Sequence, residues 1–111
     1  MKKHLVSGIS VFAFTLTSVG FAADAPSTWG QNCAACHGSD GGAHTKAAKM
    51  LGAKDLTDAS YQKSFTDDQA FAAIKDGYKD PSGKVKMKPF SDSLKDDEIK
   101  ALVSYVRTLA K

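Results

Sequence analysis

Two cysteines and a histidine lie within five consecutive residues, Cys33-Ala34-Ala35-Cys36-His37. In a helical turn, thiols three positions apart lie on the same side of the chain, so both can bond to one planar group. The histidine that follows supplies an imidazole, a strong ligand for haem iron. This C-x-x-C-H spacing is the attachment signature of a c-type haem. We therefore predict one covalently attached haem, with thioether bonds to Cys33 and Cys36 and with His37 as an axial iron ligand.

Three other uses of a C-x-x-C pair are weaker. A redox-active dithiol usually follows a strand in a β-α-β arrangement, and no strand is predicted before Cys33. A structural zinc site needs four cysteine or histidine ligands, and His37 is too close to Cys36 for a usual finger spacing. A disulfide between the two cysteines would close a very short loop and stabilise little.

The chain begins as an export signal does. Lys2 and Lys3 precede a mostly apolar run, residues 5–22, which contains small polar residues and ends in small ones. This order is typical of a cleaved secretory leader. We predict a leader over residues 1–22, a single mature domain over residues 23–111, and export to the periplasm, which fits haem attachment outside the cytoplasm. The alternative is an uncleaved membrane anchor.

The predicted mature chain is close to neutral. The sequence has 15 basic and 12 acidic residues, and removal of Lys2 and Lys3 leaves 13 basic ones. This balance provides no argument for nucleic-acid binding, and no stable membrane insertion is expected after cleavage. A chain this short buries only about 60–65% of its unfolded surface. A large, flat haem would therefore supply apolar core that the polypeptide lacks.

Helices are predicted on both sides of the motif. We expect the first between residues 25 and 37, with Pro26 in or just before its first turn and Ser27 or Thr28 near its cap. Trp29 lies four residues before the first cysteine and shares its helical face. Two more helices are expected at residues 46–51, ended by Gly52, and at residues 67–75, started by the capping box Thr66-Asp67-Asp68-Gln69 and stopped by Gly77. Candidates for lining a haem pocket are Leu56, Tyr61 and Phe65.

Residues 77–92 contain two prolines and two glycines and are predicted to form a long loop, which in a small domain is usually functional. Met87 lies at its centre. A thioether sulfur is a soft, neutral ligand that raises the reduction potential of haem iron relative to a second histidine. We predict Met87 as the sixth ligand. The alternatives are no protein ligand, Met50, interpreted first as a core residue, and His44, interpreted first as a solvent-facing loop residue.

The last helix has the clearest pattern. Three acidic residues lie in its first turn, as the helix dipole favours, and Ser93 is the predicted cap because Lys95 is a poor one. Tyr105 is expected to reach Trp29. The apolar stripe of this helix has the i, i+3, i+4, i+7 spacing and consists of Ile99, Leu102, Val103, Val106 and Leu109.

Together, the exported C-x-x-C-H motif, the Met-Lys-Pro-Phe segment 87–90 and the segment 97–107 resemble the small periplasmic class I single-haem cytochromes c, over essentially the whole mature chain. The resemblance implies an all-α fold whose N-terminal and C-terminal helices cross beside the haem, and it implies Met87 as the distal ligand. Many members carry a proline after the haem histidine, and its carbonyl accepts the imidazole proton. No proline lies between His37 and Pro81, so another carbonyl is expected in that role.

The predicted function is soluble electron transfer by a monomer, with larger redox proteins as electron donor and acceptor. Two filled axial positions leave no place for a substrate, so no catalytic residue and no enzymatic activity are predicted. Lys84, Lys86 and Lys88 are expected to face an acidic patch on the partner. The alternatives are a haem that binds a gas or peroxide through a displaceable sixth ligand, and a haem module of a permanent complex.

Overall fold

The structure is a computed structural model, and it describes Gly8 and residues 20–111. The described residues form helices and a two-stranded antiparallel sheet, which confirms the predicted all-α class with a small sheet added. Within this part of the chain, no helix is long and apolar enough to cross a membrane. In chain order, the elements are α1 (Gly20–Asn32), α2 (Ala34–His37), α3 (Lys46–Leu51), α4 (Ala59–Gln62), α5 (Asp67–Asp76), β1 (Tyr78–Lys79), β2 (Val85–Met87) and α6 (Asp96–Thr108).

The first helix begins earlier than predicted. α1 starts at Gly20, and Pro26 lies inside it, where its missing N–H removes one hydrogen bond from the helix. The predicted capping by Ser27 or Thr28 is wrong, because both residues lie inside α1. The Thr28 hydroxyl donates to the Asp24 carbonyl one turn earlier, at 3.1 Å. The predicted leader, residues 1–22, lies outside the described residues except for Gly8 and residues 20–22, and it stays a prediction.

The middle helices begin and end at the predicted signals. α3 ends at Gly52, whose left-handed φ of 73° favours glycine. The capping box before α5 is confirmed by two reciprocal hydrogen bonds: the Gln69 N–H donates to Thr66 Oγ1 at 3.1 Å, and the Thr66 N–H donates to Gln69 Oε1 at 2.9 Å. Local signals therefore predicted the C-terminal end of α3 and both ends of α5.

The stripe of α6 forms the centre of the core. Ile99 and Leu102 are 0% and 1% exposed, and the Tyr105 ring packs against Trp29 of α1 with ring centroids 5.7 Å apart, as predicted. The first and last helices therefore pack on each other. The buried core consists of Trp29, Cys33, Leu56, Ile74, Phe90, Leu94, Ile99, Leu102, Val103 and Val106.

The predicted cap of α6 is wrong. The N-cap is Lys95, whose N–H donates to the Glu98 side chain at 3.0 Å. Ser93 instead donates its hydroxyl to the Phe90 carbonyl at 3.4 Å, within the preceding turn. A glutamate three positions into the helix thus replaces the hydroxyl cap that the sequence led us to expect.

Candidate functional site

A cavity of about 1170 Å³ lies between the C-terminal end of α1, α2, the segment from α4 to α5, and the hairpin formed by β1 and β2. It is larger than the roughly 300–1,000 Å³ of typical small-molecule sites. Its wall includes all four predicted site residues, Cys33, Cys36, His37 and Met87. The fold therefore brings together side chains that are up to 54 positions apart in the sequence.

The two cysteines are arranged by the tight turn that begins α2. Cys33 is the N-cap residue, and its carbonyl accepts hydrogen bonds from the N–H groups of Cys36, at 3.2 Å, and His37, at 2.9 Å. Burial, and secondarily the neighbouring Cys36, raise the pKa of the Cys33 thiol to about 11. Reactive dithiols have lowered thiol pKa values, so the environment of Cys33 argues against the dithiol alternative.

His37 ends α2 with its imidazole largely buried. Burial lowers the pKa of this imidazole, which favours the neutral form that binds metals. Its Nδ1 is buried and has no hydrogen-bond partner among the described residues. Because the ring also lines the cavity, Nε2 is the nitrogen left to act as a ligand there.

The predicted carbonyl acceptor for the His37 ring is not found in the described part of the chain. The carbonyls of the two residues that flank His37 accept other hydrogen bonds: the Gly38 carbonyl accepts from Trp29 Nε1 at 3.0 Å, and the Cys36 carbonyl accepts from Thr45 Oγ1 at 2.5 Å. The Trp29 ring lies beside the imidazole, with centroids 5.6 Å apart. The Trp29 contact therefore helps to orient the His37 ring, for which no hydrogen bond from Nδ1 is found among the described residues.

Met87 lies on a hairpin, which corrects the prediction of a long irregular loop. Tyr78 of β1 pairs with Met87 of β2, and the Met87 side chain is partly buried on the cavity wall. The close approach of Gly77 explains this placement, because a Cβ atom there would lie 2.7 Å from the Met87 carbonyl oxygen.

The two alternative ligands lie elsewhere. Met50 is 71% exposed and is not part of the cavity wall, so its interpretation as a core residue is wrong as well. His44 is exposed in its loop, as expected. In the described residues, no three His, Cys, Asp or Glu side chains converge as a metal site of their own.

The apolar side of the cavity was predicted well. Leu56, Tyr61 and Phe65 all line it, and the Tyr61 and Phe65 rings pack with centroids 5.4 Å apart. The wall segment that contains them has little regular secondary structure, because α4 has only 4 residues. Another interaction must therefore hold this segment against the core.

That interaction involves Gln62 and Arg107, whose pairing the sequence analysis missed. Gln62 is 6% exposed, and its Nε2 donates to the carbonyls of Leu56 and Val106, both at 2.8 Å. Arg107 donates from Nη1 to Gln62 Oε1 at 3.0 Å and from Nη2 to the Phe65 carbonyl at 2.8 Å. The sequence carries no periodic signal for a contact between residues 45 positions apart.

A helical fold around a cavity with a C-x-x-C-H turn defines the class of c-type cytochromes, and the comparisons agree. The family model for cytochrome c matches residues 22–110, and the chain belongs to the cytochrome c family. A search of curated proteins found no match. Membership makes this a haem-binding electron-transfer protein of the small cytochrome c type, and the family implies that the haem is attached covalently.

Two solved structures are similar to this chain over most of its length. The c-type cytochrome KustC0563 is 35% identical, with a TM-score of 0.69, and the match covers 79% of this chain and 99% of that one. A tyrosine-to-phenylalanine mutant of Kustc0563 is also 35% identical, with a TM-score of 0.66 and coverage of 78% and 98%.

The residues on the cavity wall fit a haem. Two thiols lie on one turn, an imidazole with a buried Nδ1 lines the cavity, and a thioether lies on the hairpin. A haem held in this way supplies a one-electron redox centre. The remaining wall is largely formed by apolar side chains, which suit a flat, mostly apolar group.

Proposed function

We propose that this protein carries one electron on a single haem bonded through thioethers to Cys33 and Cys36, with His37 and Met87 as the axial ligands. The observation that carries this proposal is the shared cavity, on whose wall all four side chains lie. The sequence has no other cysteine, which supports a count of one haem.

The chemistry of the two axial residues favours electron transfer over catalysis. A neutral imidazole and a neutral thioether are both available at neutral pH, and the methionine raises the reduction potential relative to a second histidine. With both positions taken by protein side chains, no position is left for a substrate. The protein therefore acts as a carrier rather than as an enzyme.

The proposed working form is a periplasmic monomer of residues 23–111, made by removal of the leader. The lysines and the apolar run at the start of the sequence support the assignment of a leader. The family match begins at residue 22, next to the proposed cleavage site. The partners are larger redox proteins that act as electron donor and acceptor.

The proposed docking surface is formed by the lysines of the hairpin and by the lysine that follows it, beside the cavity that Lys86 and Lys88 help to line. Lys84 and Lys88 are exposed there, and the Lys88 ammonium lies 5.2 Å from the Phe90 ring centroid. Lys86 is 3.9 Å from the Asp80 carboxylate, so its charge is partly compensated. Lys84 and Lys88 therefore contribute most of the positive charge offered to an acidic patch on the partner.

Visible absorption spectra of the purified holoprotein test the ligand assignment. The ferric protein should show the weak long-wavelength band of sulfur-to-iron coordination, and Met87→Ala should abolish it. Met50→Ala is the matched control, because it removes an exposed thioether outside the cavity wall. Loss of the band in Met50→Ala, or its survival in Met87→Ala, would contradict the assignment. A high-spin parent protein that readily binds carbon monoxide would favour the ligand-binding alternative.

A further inference from the structure

Asp80 closes the turn that joins β1 to β2. Its Oδ1 accepts from the Ser82 N–H at 2.9 Å, from the Ser82 hydroxyl at 2.5 Å and from the Lys84 N–H at 3.0 Å. The Asp80 N–H donates to the Lys84 carbonyl at 2.9 Å, and the Asp80 carbonyl accepts from the Gly83 N–H at 2.9 Å. One carboxylate oxygen thus binds three donors of the turn.

The same carboxylate reaches strand β2. Asp80 Oδ2 lies 3.9 Å from the ammonium of Lys86, the residue before Met87. Next to the turn, Lys79 pairs with Val85, and beyond a register shift Tyr78 pairs with Met87. A change at Asp80 would therefore be passed to Met87 through the short strand β2.

The base of the hairpin is held against α5, because Gly77 closely approaches the Met87 carbonyl and the Phe90 N–H donates to the Ile74 carbonyl at 2.9 Å. Toward the turn, the strands themselves provide little further stabilisation. They have only 2 and 3 residues, and isolated two-stranded hairpins are marginal in water. Tyr78 and Val85 are 55% and 48% exposed, so apolar burial of the strands is limited. The hydrogen bonds from Ser82 and Lys84, together with the Lys86 charge, hold the pKa of Asp80 below its usual value, so the carboxylate stays charged at neutral pH.

We propose that Asp80 is a positioning residue for Met87, and that its hydrogen bonds determine how readily Met87 is displaced from the axial position. The inference rests on the assignment of Met87 as a ligand under the proposed function. It adds that a carboxylate from the turn of the hairpin, outside the ligand set, controls the sixth position.

The test is the affinity of imidazole, an added ligand that competes with Met87, for the ferric holoprotein. Asp80→Ala should raise this affinity about tenfold, because the hydrogen bonds that hold the turn are lost together. Asp80→Asn keeps one oxygen acceptor and should raise it less. Ser82→Ala removes one of the three donors and should raise it about two- to threefold.

Asp55→Ala is the matched control. Asp55 also accepts from a residue two positions later, with the Thr57 N–H at 2.8 Å and the Thr57 hydroxyl at 2.6 Å, but it is more exposed than Asp80 and lies outside the hairpin. Asp55→Ala should leave the imidazole affinity unchanged. Unfolding by urea, followed by circular dichroism, measures the general loss of stability in both variants.

Three results distinguish a failure of the inference about Asp80 from a failure of the proposed ligand assignment. Higher imidazole affinity in Asp80→Ala but not in Asp55→Ala supports the inference. Equal affinities in the parent, Asp80→Asn and Ser82→Ala overturn it, and these milder variants serve if Asp80→Ala does not fold. A Met87→Ala protein that binds imidazole as weakly as the parent contradicts the ligand assignment itself, and the inference fails with it.

Discussion

At the residue scale, burial lowers the pKa of the His37 imidazole and so favours its neutral form. A neutral imidazole has a lone pair for a metal. Burial also raises the pKa of the free Cys33 thiol to about 11, unlike the lowered pKa of a redox-active dithiol. In the proposed holoprotein this thiol is replaced by a thioether.

Ala43 carries local backbone strain next to the haem-binding motif. Its φ is 58°, and its N–H donates to the His37 carbonyl at 2.9 Å, closing the loop after α2. An L-residue in this left-handed region costs about 1–2 kcal/mol, and a glycine loses about 0.4–1 kcal/mol more backbone entropy on folding. We expect Ala43→Gly to raise the free energy of unfolding by about 0.5–1 kcal/mol, measured by urea unfolding of the holoprotein.

Ala47→Gly is the control for this prediction, because it makes the same chemical change inside α3. A glycine in a helix costs about 1 kcal/mol, so this variant should be less stable than the parent. If the two variants are destabilised alike, the strain at Ala43 is not relieved by glycine and the prediction is wrong.

At the element scale, the hairpin is held against the end of α5 by Gly77. This residue has φ 79° and ψ 178°, a conformation that is essentially restricted to glycine, and an added Cβ would lie 2.7 Å from the Met87 oxygen. We expect Gly77→Ala to shift β2 and to weaken or abolish the sulfur-to-iron band of the ferric protein. Its loss of stability should exceed the roughly 1 kcal/mol that a positive φ alone costs alanine.

Gly52→Ala distinguishes the effect of the contact between Gly77 and Met87 from the free-energy cost of a positive φ at alanine. Gly52 also has a positive φ, 73°, but an added Cβ would meet no atom within 4 Å. This variant should lose about 1 kcal/mol of stability and keep the band. A band that survives unchanged in Gly77→Ala would show that the Gly77 contact does not position Met87.

Gln62 joins α4 to α6 across the apolar side of the cavity. Gln62→Leu has a similar volume but leaves the Leu56 and Val106 carbonyls without the donor that each now has at 2.8 Å. We expect a loss of about 2–3 kcal/mol, since a buried polar group without a partner costs about 1–3 kcal/mol. The measurement is the midpoint and slope of urea unfolding.

Gln31→Leu provides the comparison, because Gln31 is exposed and donates only to Ser27 Oγ, at 3.4 Å, among the described residues. Surface substitutions of this kind usually change stability by no more than about 0.5 kcal/mol. A similar, small effect for both glutamines would mean that the Gln62 network does not hold the wall in place.

At the scale of the whole molecule, positive charge on the hairpin lies beside the cavity, whereas the sequence from residue 23 onward is nearly neutral, with 13 basic and 12 acidic residues. We expect electron transfer to an acidic redox protein to slow as ionic strength rises, because salt screens the attraction over a Debye length of about 8–10 Å. Lys84→Glu with Lys88→Glu should slow transfer at low salt and flatten its salt dependence. Stopped-flow kinetics at several salt concentrations measure both effects.

The control for the docking surface is Lys100→Glu with Lys111→Glu, which changes the net charge equally. Lys100 lies beside α5 in a groove lined by Asp67, Asp68 and Phe71, away from the haem cavity. This pair should leave the rate at low salt nearly unchanged. A rate that is indifferent to salt, or equal effects of the two pairs, would contradict docking through the hairpin.

The amino-acid sequence by itself determined the haem motif, the family resemblance and the ends of α3 and α5. The motif and the helix ends depend on residues within about four positions of each other: the two thiols on one turn, the Thr66–Gln69 capping box and the glycine that ends a helix. The family resemblance combines such local segments along the chain. The apolar stripe of α6 was also predicted from local spacing, and Ile99, Leu102, Val103 and Val106 of this stripe are buried.

Only the tertiary structure decided that Met87 rather than Met50 lies on the cavity wall, that His37 Nδ1 is buried without a partner among the described residues, and that Gln62 binds α6. It also replaced the expected loop by a hairpin. Each of these outcomes depends on groups that are distant in the sequence and meet only after folding. No local spacing records such contacts, because their free energy comes from burial and hydrogen bonding between elements.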